Sequence, residues 1–183
     1  MGQRFWSFLS ATLVMASLVL GLARAQSADS DDAPRSSDKN VVRLQMLARV
    51  GGSSISTRSL YIYVCVQSPE RCVPYTKFVS GDNGFDLQEY LHVKMAFEDN
   101  SIFKTVRFSD SELTRKQSHF EKSHSAVWKR LRADVQMQDV EARTVLEEIA
   151  VFNALLEKQE SLETWVQQLR TRFKVQLFNQ NAT

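Results

Sequence analysis

The chain has 183 residues, with 23 Lys and Arg against 21 Asp and Glu. Arg4 and Arg24 lie in a segment that we expect to be removed, so the remaining charges balance at zero and argue against nucleic acid as a partner. Three His and two Cys are spread along the sequence, and no glycine-rich phosphate-binding motif occurs. We therefore predict no catalytic residue, no metal site and no cofactor, and we do not expect an enzyme.

Residues 1–25 have the pattern of a secretory signal peptide. An apolar run of about 15 residues, Phe8–Leu22, precedes the small-x-small sequence Ala23-Arg24-Ala25. An uncleaved membrane anchor is the alternative, although the run is short for a membrane span. Residues 26–40 contain no aromatic or branched aliphatic residue, which predicts a disordered leader. We expect the chain to be secreted or lumenal, or periplasmic if the organism is bacterial.

Residues 41–108 predict a small antiparallel five-stranded β-domain, either a meander or a sandwich. Runs of alternating apolar residues are separated by turn sequences such as Ser80–Gly84. The predicted strands are Val41–Val50, Ser59–Val66, Arg71–Val79, Phe85–Phe97 and Ile102–Phe108. Pro74 lacks a backbone donor, which places the third strand at an edge. The candidate surface for a protein partner lies on the second and third strands and consists of Tyr61, Tyr63, Pro74 and Tyr75.

The two cysteines, Cys65 and Cys72, predict one disulfide, because a single pair in an oxidising compartment is most simply joined. If residues 67–70 form the turn of a hairpin, the two cysteines lie opposite each other, with Cβ atoms about 4.5–5.5 Å apart. The disulfide would then join the second strand to the third.

Residues 109–178 predict a long helix, or a helical hairpin, with coiled-coil character, followed by a tail at residues 179–183. The segment contains neither Gly nor Pro, and Ser109 to Glu112 has the sequence of a capping box. Apolar residues then recur at steps of three and four, which is typical of a coiled coil. This predicted oligomerisation seam consists of Trp128, Leu131, Val135, Ala142, Val145, Ile149, Phe152, Leu156, Leu162, Val166, Leu169 and Phe173.

The C-terminal part also contains a strongly apolar stretch and a glycosylation sequon. Between Val145 and Leu156, apolar residues cover most of the helix circumference, so either a larger bundle or the β-domain is expected to bury this part. Asn181 begins a glycosylation sequon in the tail.

The order of segments is similar to that in the lumenal part of the p24 cargo receptors with their GOLD domain. A signal peptide is followed by a small disulfide-bearing β-domain and a C-terminal coiled coil. No apolar span follows Phe178, where those receptors have a transmembrane helix. The resemblance implies a cargo adaptor.

These features favour a secreted or lumenal, non-enzymatic interaction protein. It would oligomerise through its C-terminal helix, as a homo-oligomer or with a helical partner, and present the disulfide-stapled β-domain to a protein. One alternative is a small secreted hydrolase or ligand-binding β-domain with a helical lid. A weaker alternative is a membrane-surface binder, in which Lys129, Arg130 and Arg132 face anionic lipid.

Overall fold

The structure is a computed structural model that describes residues 45–178. The predicted signal peptide and leader and Asn181 lie outside these residues, as does the start of the first predicted strand. Ten elements follow one another along the described part. They are β1 (Met46–Val50), β2 (Ser53–Ser56), α1 (Thr57–Gln67), α2 (Tyr75–Val79), α3 (Gly84–Phe103), α4 (Asp110–Ser123), α5 (Ser125–Val135), α6 (Asp139–Leu156), α7 (Leu162–Arg172) and β3 (Val175–Leu177). A short 3-10 helix, Pro69–Arg71, lies between α1 and α2.

The three strands form one antiparallel sheet in the order β2-β1-β3. β1 is the C-terminal half of the first predicted strand, and Gly51 follows it with a φ of 54°, a left-handed conformation that glycine adopts readily. Ala48 pairs with Ile55 of β2 on one side and with Leu177 of β3 on the other. The last strand therefore brings the end of the described chain back to its beginning, which the sequence did not predict.

The predicted five-stranded β-domain is wrong, because most of residues 57–103 are helical. Ser59–Val66, predicted as the second strand, lies in α1, where every residue from Leu60 to Val66 is buried. A continuous apolar run fits a buried helix as well as a buried strand. A capping box starts the helix here, since Ser59 N–H donates to Ser56 Oγ at 3.1 Å and Ser56 N–H donates to Ser59 Oγ at 2.8 Å.

The remaining predicted strands are helical or irregular. Arg71–Val79 ends as α2, Phe85–Phe97 lies within α3, and Ile102–Phe108 is the end of α3 followed by an irregular segment. Asn83, predicted to form a hairpin turn with Gly84, is the N-cap of α3 instead. The resemblance to GOLD-domain proteins depended on the β-domain and is corrected together with it.

The predicted long helix over residues 109–178 is also wrong, because four shorter helices, α4 to α7, occupy this range. Its predicted start is confirmed, since Glu112 N–H donates to Ser109 Oγ at 3.3 Å and Ser109 N–H donates to Glu112 Oε2 at 2.8 Å. Breaks occur at His124, at Gln136–Gln138 and at residues 157–161, none of which contains Gly or Pro. At the second break Gln136 takes a left-handed φ of 51°.

Helix α6 lies at the centre of the fold and packs against α1, α3 and α4. These helices cover Val145–Leu156, the apolar stretch that the sequence predicts to be buried. Val151 is 1% exposed and Val145 is 5% exposed. Phe152 lies against Trp165 of α7, with ring centroids 5.5 Å apart. The chain's own helices therefore bury this stretch.

The turn between α5 and α6 is held by Arg58, which reaches it from α1. Its Nε donates to Val135 O at 3.0 Å, at the end of α5, and its Nη2 donates to Glu141 Oε2 at 2.8 Å, in the first turn of α6. Glu141 also accepts a hydrogen bond from Gln138 N–H at 2.8 Å. The Arg58 guanidinium lowers the pKa of Glu141 below its ordinary value, and the Gln138 N–H adds to this effect.

Replacing Glu141 with glutamine should lower the free energy of unfolding by about 1–2 kcal/mol at neutral pH. Glutamine can still accept the hydrogen bond from Gln138 N–H. The decrease in the free energy of unfolding therefore measures the contribution of the negative charge on Glu141. Because the folded-state pKa is lowered, this stabilisation is fully present above the unfolded-state pKa and is lost as the pH falls through the folded-state value. Urea unfolding of both proteins at neutral and acidic pH measures the difference.

Asp139→Asn is the matched control. Its ion pair with Arg132 is exposed, so its loss should change stability little at any pH. A loss for Glu141→Gln that stays constant down to strongly acidic pH would contradict the role given to this ion pair.

Candidate functional site

A cleft of about 450 Å³ lies where the end of α3 meets the following irregular segment and α6. Its volume is in the range of about 300–1,000 Å³ that ligand-binding clefts occupy. The residues that line it combine aromatic, aliphatic, polar and charged side chains: Phe97, Asn100, Ser101, Lys104, Val106, Arg107, Phe108 and Glu147.

One wall of the cleft is the segment from Lys104 to Phe108, which we call the cleft segment. Lys104 ends α3 with a left-handed φ of 53°, and its N–H donates to Asn100 O at 2.7 Å. A non-glycine residue in this conformation costs about 1–2 kcal/mol. The conformation turns the chain out of the helix axis, so that the cleft segment can return along the last turns of α3.

The side chain of Asn100 fixes the cleft segment in place. Its Nδ2 donates to Val106 O at 2.9 Å, and Val106 N–H donates to its Oδ1 at 2.8 Å. Asn100 is 8% exposed, so its side chain is largely shielded from water, and both hydrogen bonds are partly buried. These two hydrogen bonds take the place of the backbone pairing that a neighbouring strand would give. They hold the cleft segment in a defined position beside α3.

Exposure alternates along the cleft segment. Val106 and Phe108 are half-buried, whereas Thr105 and Arg107 are exposed, the period of two that is typical of an extended chain. The backbone N–H and C=O groups of Thr105 and Arg107 make no hydrogen bond with any residue that the structure describes. The cleft therefore has an apolar floor of Phe97, Val106 and Phe108, and the cleft segment that borders it has free backbone groups at Thr105 and Arg107.

The charges around the cleft have opposite signs on its two sides. Lys104 and Arg107 lie on the cleft segment, and the Lys116 ammonium lies 5.5 Å from the centre of the Phe108 ring. On the α6 side, burial raises the pKa of Glu147, and the nearby carboxylates of Glu148 and Asp110 raise it further. The arrangement can attract a negative group toward the cleft segment and keep it away from α6.

A buried charge network lies beside the cleft, between α3 and α6. Lys94 Nζ is 2.5 Å from Glu148 Oε1, and Tyr90 OH donates to Glu148 Oε2 at 3.0 Å. Lys94 belongs to Phe85–Phe97, which the sequence predicts as a strand, and Glu148 is not among the predicted site residues. In the structure Lys94 is 9% exposed and Glu148 2%. The four-residue step from Tyr90 to Lys94 was visible in the sequence and becomes meaningful once α3 is known to be a helix.

The candidate partner surface does not form. Tyr61, Tyr63 and Tyr75 are buried and only Pro74 is exposed. Tyr61 OH lies within hydrogen-bond distance of two acceptors, Val73 O at 2.8 Å and Asp134 Oδ2 at 3.1 Å. The reason is that α1 is surrounded by other elements, so its tyrosines belong to the core.

Tyr75 and Tyr63 have partners within that core. Tyr75 N–H donates to Asp134 Oδ2 at 3.0 Å, and the Tyr63 ring stacks on Tyr90 with centroids 4.3 Å apart. Burial raises the pKa of all three tyrosines, which keeps their hydroxyl groups protonated.

The predicted oligomerisation seam lies in the interior of the chain's own fold. Seven of its residues are buried: Trp128, Leu131, Val135, Ala142, Val145, Val166 and Leu169. Ile149, Phe152, Leu156 and Phe173 are half-buried against this core, and Leu162 is 45% exposed. Contacts within one chain therefore account for the apolar seam.

Cys65 and Cys72 come together as predicted, with their sulfur atoms 2.08 Å apart. The disulfide joins α1 to the loop after the 3-10 helix, so the predicted pairing is confirmed although the hairpin that suggested it is wrong. Arg130 of α5 donates to the carbonyl of Cys72, which connects this loop to the helical core.

No group of His, Cys, Asp and Glu side chains in residues 45–178 is arranged to hold a metal ion. No helix within the same residues is long and apolar enough to cross a membrane. The chain matches no protein-family model, no curated protein and no solved structure.

Proposed function

We propose that this chain is a secreted or lumenal, non-enzymatic interaction protein that binds an extended polypeptide segment in the cleft between α3, the cleft segment and α6. The signal-peptide pattern of residues 1–25 supports a secretory location. The joined pair Cys65 and Cys72 is in keeping with it, because disulfides persist in oxidising compartments.

The observation that carries the proposal is the row of free backbone groups beside an apolar floor. Extended peptides bind to such edges through main-chain hydrogen bonds, and pockets take their alternate side chains. Thr105 and Arg107 offer the backbone groups, while Val106 and Phe108 form part of the floor. The same combination does not favour a lipid surface, which has no backbone groups to pair with.

Filling the cleft should abolish peptide binding. Ser101 is an exposed residue of α3 that lines the cleft, so a Ser101→Trp side chain can occupy it without entering the core. We expect peptides selected on the wild-type chain from a random display library to bind Ser101→Trp at least about tenfold more weakly, the loss of a few main-chain hydrogen bonds. Fluorescence anisotropy of the purified, oxidised chain with labelled peptides measures this.

Ser118→Trp is the matched control, because Ser118 is an exposed helical serine of α4 outside the cleft. Its affinity should equal that of the wild type, and the circular dichroism of both variants should show the wild-type helix content. The proposal is overturned if the selected peptides bind Ser101→Trp as tightly as the wild type, or if selection yields no peptide that binds.

A further inference from the structure

We infer that the segment bound in the cleft carries an acidic side chain next to a large apolar one. This inference rests on the proposed function and adds the chemical class of the ligand. The apolar side chain lies on Phe97, Val106 and Phe108, and the acidic side chain pairs with Lys104 and Arg107.

The two cations of the cleft segment have no anionic partner in the described part of the chain. Arg58, Arg71, Lys94, Arg132 and Arg172 each form an ion pair with a carboxylate. Lys104 and Arg107 form none with any residue in the described part of the chain. Both line the cleft, so a ligand in it would meet two charges that the fold leaves uncompensated.

The position of these cations fits an extended ligand. Arg107 is exposed between the half-buried Val106 and Phe108, so its charge lies beside the apolar floor at the spacing of one residue. Neighbouring side chains of an extended peptide point to opposite faces, so one residue can contact the floor while the next contacts Arg107. An acidic residue adjacent to an apolar one therefore satisfies both features at once.

Glu147 determines which side of the cleft the acid occupies. Its carboxylate lines the α6 side, where burial and the charges of Glu148 and Asp110 raise its pKa. A ligand carboxylate on that side would add a further negative charge to this group. The acidic side chain is therefore confined to the cleft segment, and a peptide with a basic residue in its place meets Lys104 and Arg107 instead.

The test uses four labelled, capped peptides with identical flanks and the centres Leu-Asp-Leu, Leu-Asn-Leu, Leu-Lys-Leu and Ser-Asp-Ser. Each is titrated by fluorescence anisotropy against the wild type and against Lys104→Glu/Arg107→Glu. We expect Leu-Asp-Leu to bind the wild type about tenfold more tightly than Leu-Asn-Leu, as expected for two partly exposed charge contacts. Ser-Asp-Ser should bind more weakly than Leu-Asp-Leu, and added salt should reduce the preference for the acid.

Charge reversal should reverse the preference. Lys104→Glu/Arg107→Glu should bind Leu-Lys-Leu better than Leu-Asp-Leu, which a merely misfolded variant would not do. The matched control is Lys122→Glu/Lys129→Glu, which changes the net charge equally at two exposed lysines outside the cleft and should leave the wild-type order unchanged.

The two proposals fail in different ways. Equal binding of Leu-Asp-Leu and Leu-Asn-Leu, each blocked by Ser101→Trp, leaves peptide binding intact and overturns the acidic ligand. If Lys122→Glu/Lys129→Glu also loses the preference for the acidic peptide, the preference comes from the overall charge of the chain. That result also overturns the acidic ligand. Binding that Ser101→Trp does not affect overturns the proposed function itself.

Discussion

Replacing Glu148 with alanine is expected to lower the free energy of unfolding by about 3–5 kcal/mol, because it leaves the Lys94 ammonium buried without a counter-charge. Lys94 Nζ lies 2.5 Å from Glu148 Oε1, and both side chains are nearly inaccessible to water. Tyr90 OH would lose its acceptor as well. Chemical denaturation followed by circular dichroism measures the change.

The neighbouring Glu147→Ala is the matched control for this prediction. Burial and nearby carboxylates raise the pKa of Glu147, so the folded state disfavours its charged form. Its removal at neutral pH should leave the free energy of unfolding unchanged or slightly increase it. A loss for Glu147→Ala as large as that for Glu148→Ala would contradict the assignment of the buried charge to Glu148.

A double-mutant cycle separates the pair from its surroundings. Lys94→Met and Glu148→Leu, each alone, should be strongly destabilising, because each leaves the other member of the pair buried and unpaired. The double variant Lys94→Met/Glu148→Leu replaces both charges with apolar groups and should recover much of the loss. Additive losses in the double variant would show that the two residues do not act as a pair.

The fold could be predicted only where a local signal has one interpretation. Ser109 with Glu112 has the side chains that a helix start needs, and the structure shows the capping box there. Ser56 and Ser59 form the same arrangement at the start of α1, but a serine in place of the usual glutamate made it easy to miss. The apolar run at Ser59–Val66 then favoured a strand over the helix that forms.

The breaks between α4 and α7 show why the long helix could not be excluded from the sequence. Gln136 adopts the left-handed conformation that glycine usually supplies, and Arg58, distant in sequence, holds the turn through Val135 O and Glu141. Intrinsic propensity would continue the helix, and tertiary contacts override it. Such a break is determined by packing, so the local sequence contains little signal for it.

The same distinction applies to the candidate site. The Cys65 and Cys72 pair could be predicted, because there is no other cysteine to choose. The cleft could not, since it depends on Asn100 holding Val106 and on Glu147 of a helix about forty residues away in the chain. Each of these residues looks like an ordinary surface position in the sequence, and only the return of the cleft segment along α3 brings them together.

The seam of three- and four-residue steps was real, and its interpretation as an oligomer interface can be tested directly. Leu131 is fully buried in the core of one chain, so Leu131→Ala should lower the free energy of unfolding by about 2–5 kcal/mol. Because the contacts are intrachain, the loss and the unfolding midpoint should not change over a wide range of protein concentrations, which urea titrations can establish. Leu162→Ala is the matched control: this seam leucine is 45% exposed and should cost less than about 1 kcal/mol. A midpoint that rises with protein concentration, or equal losses of stability at both leucines, would instead indicate that the seam is an interface between chains.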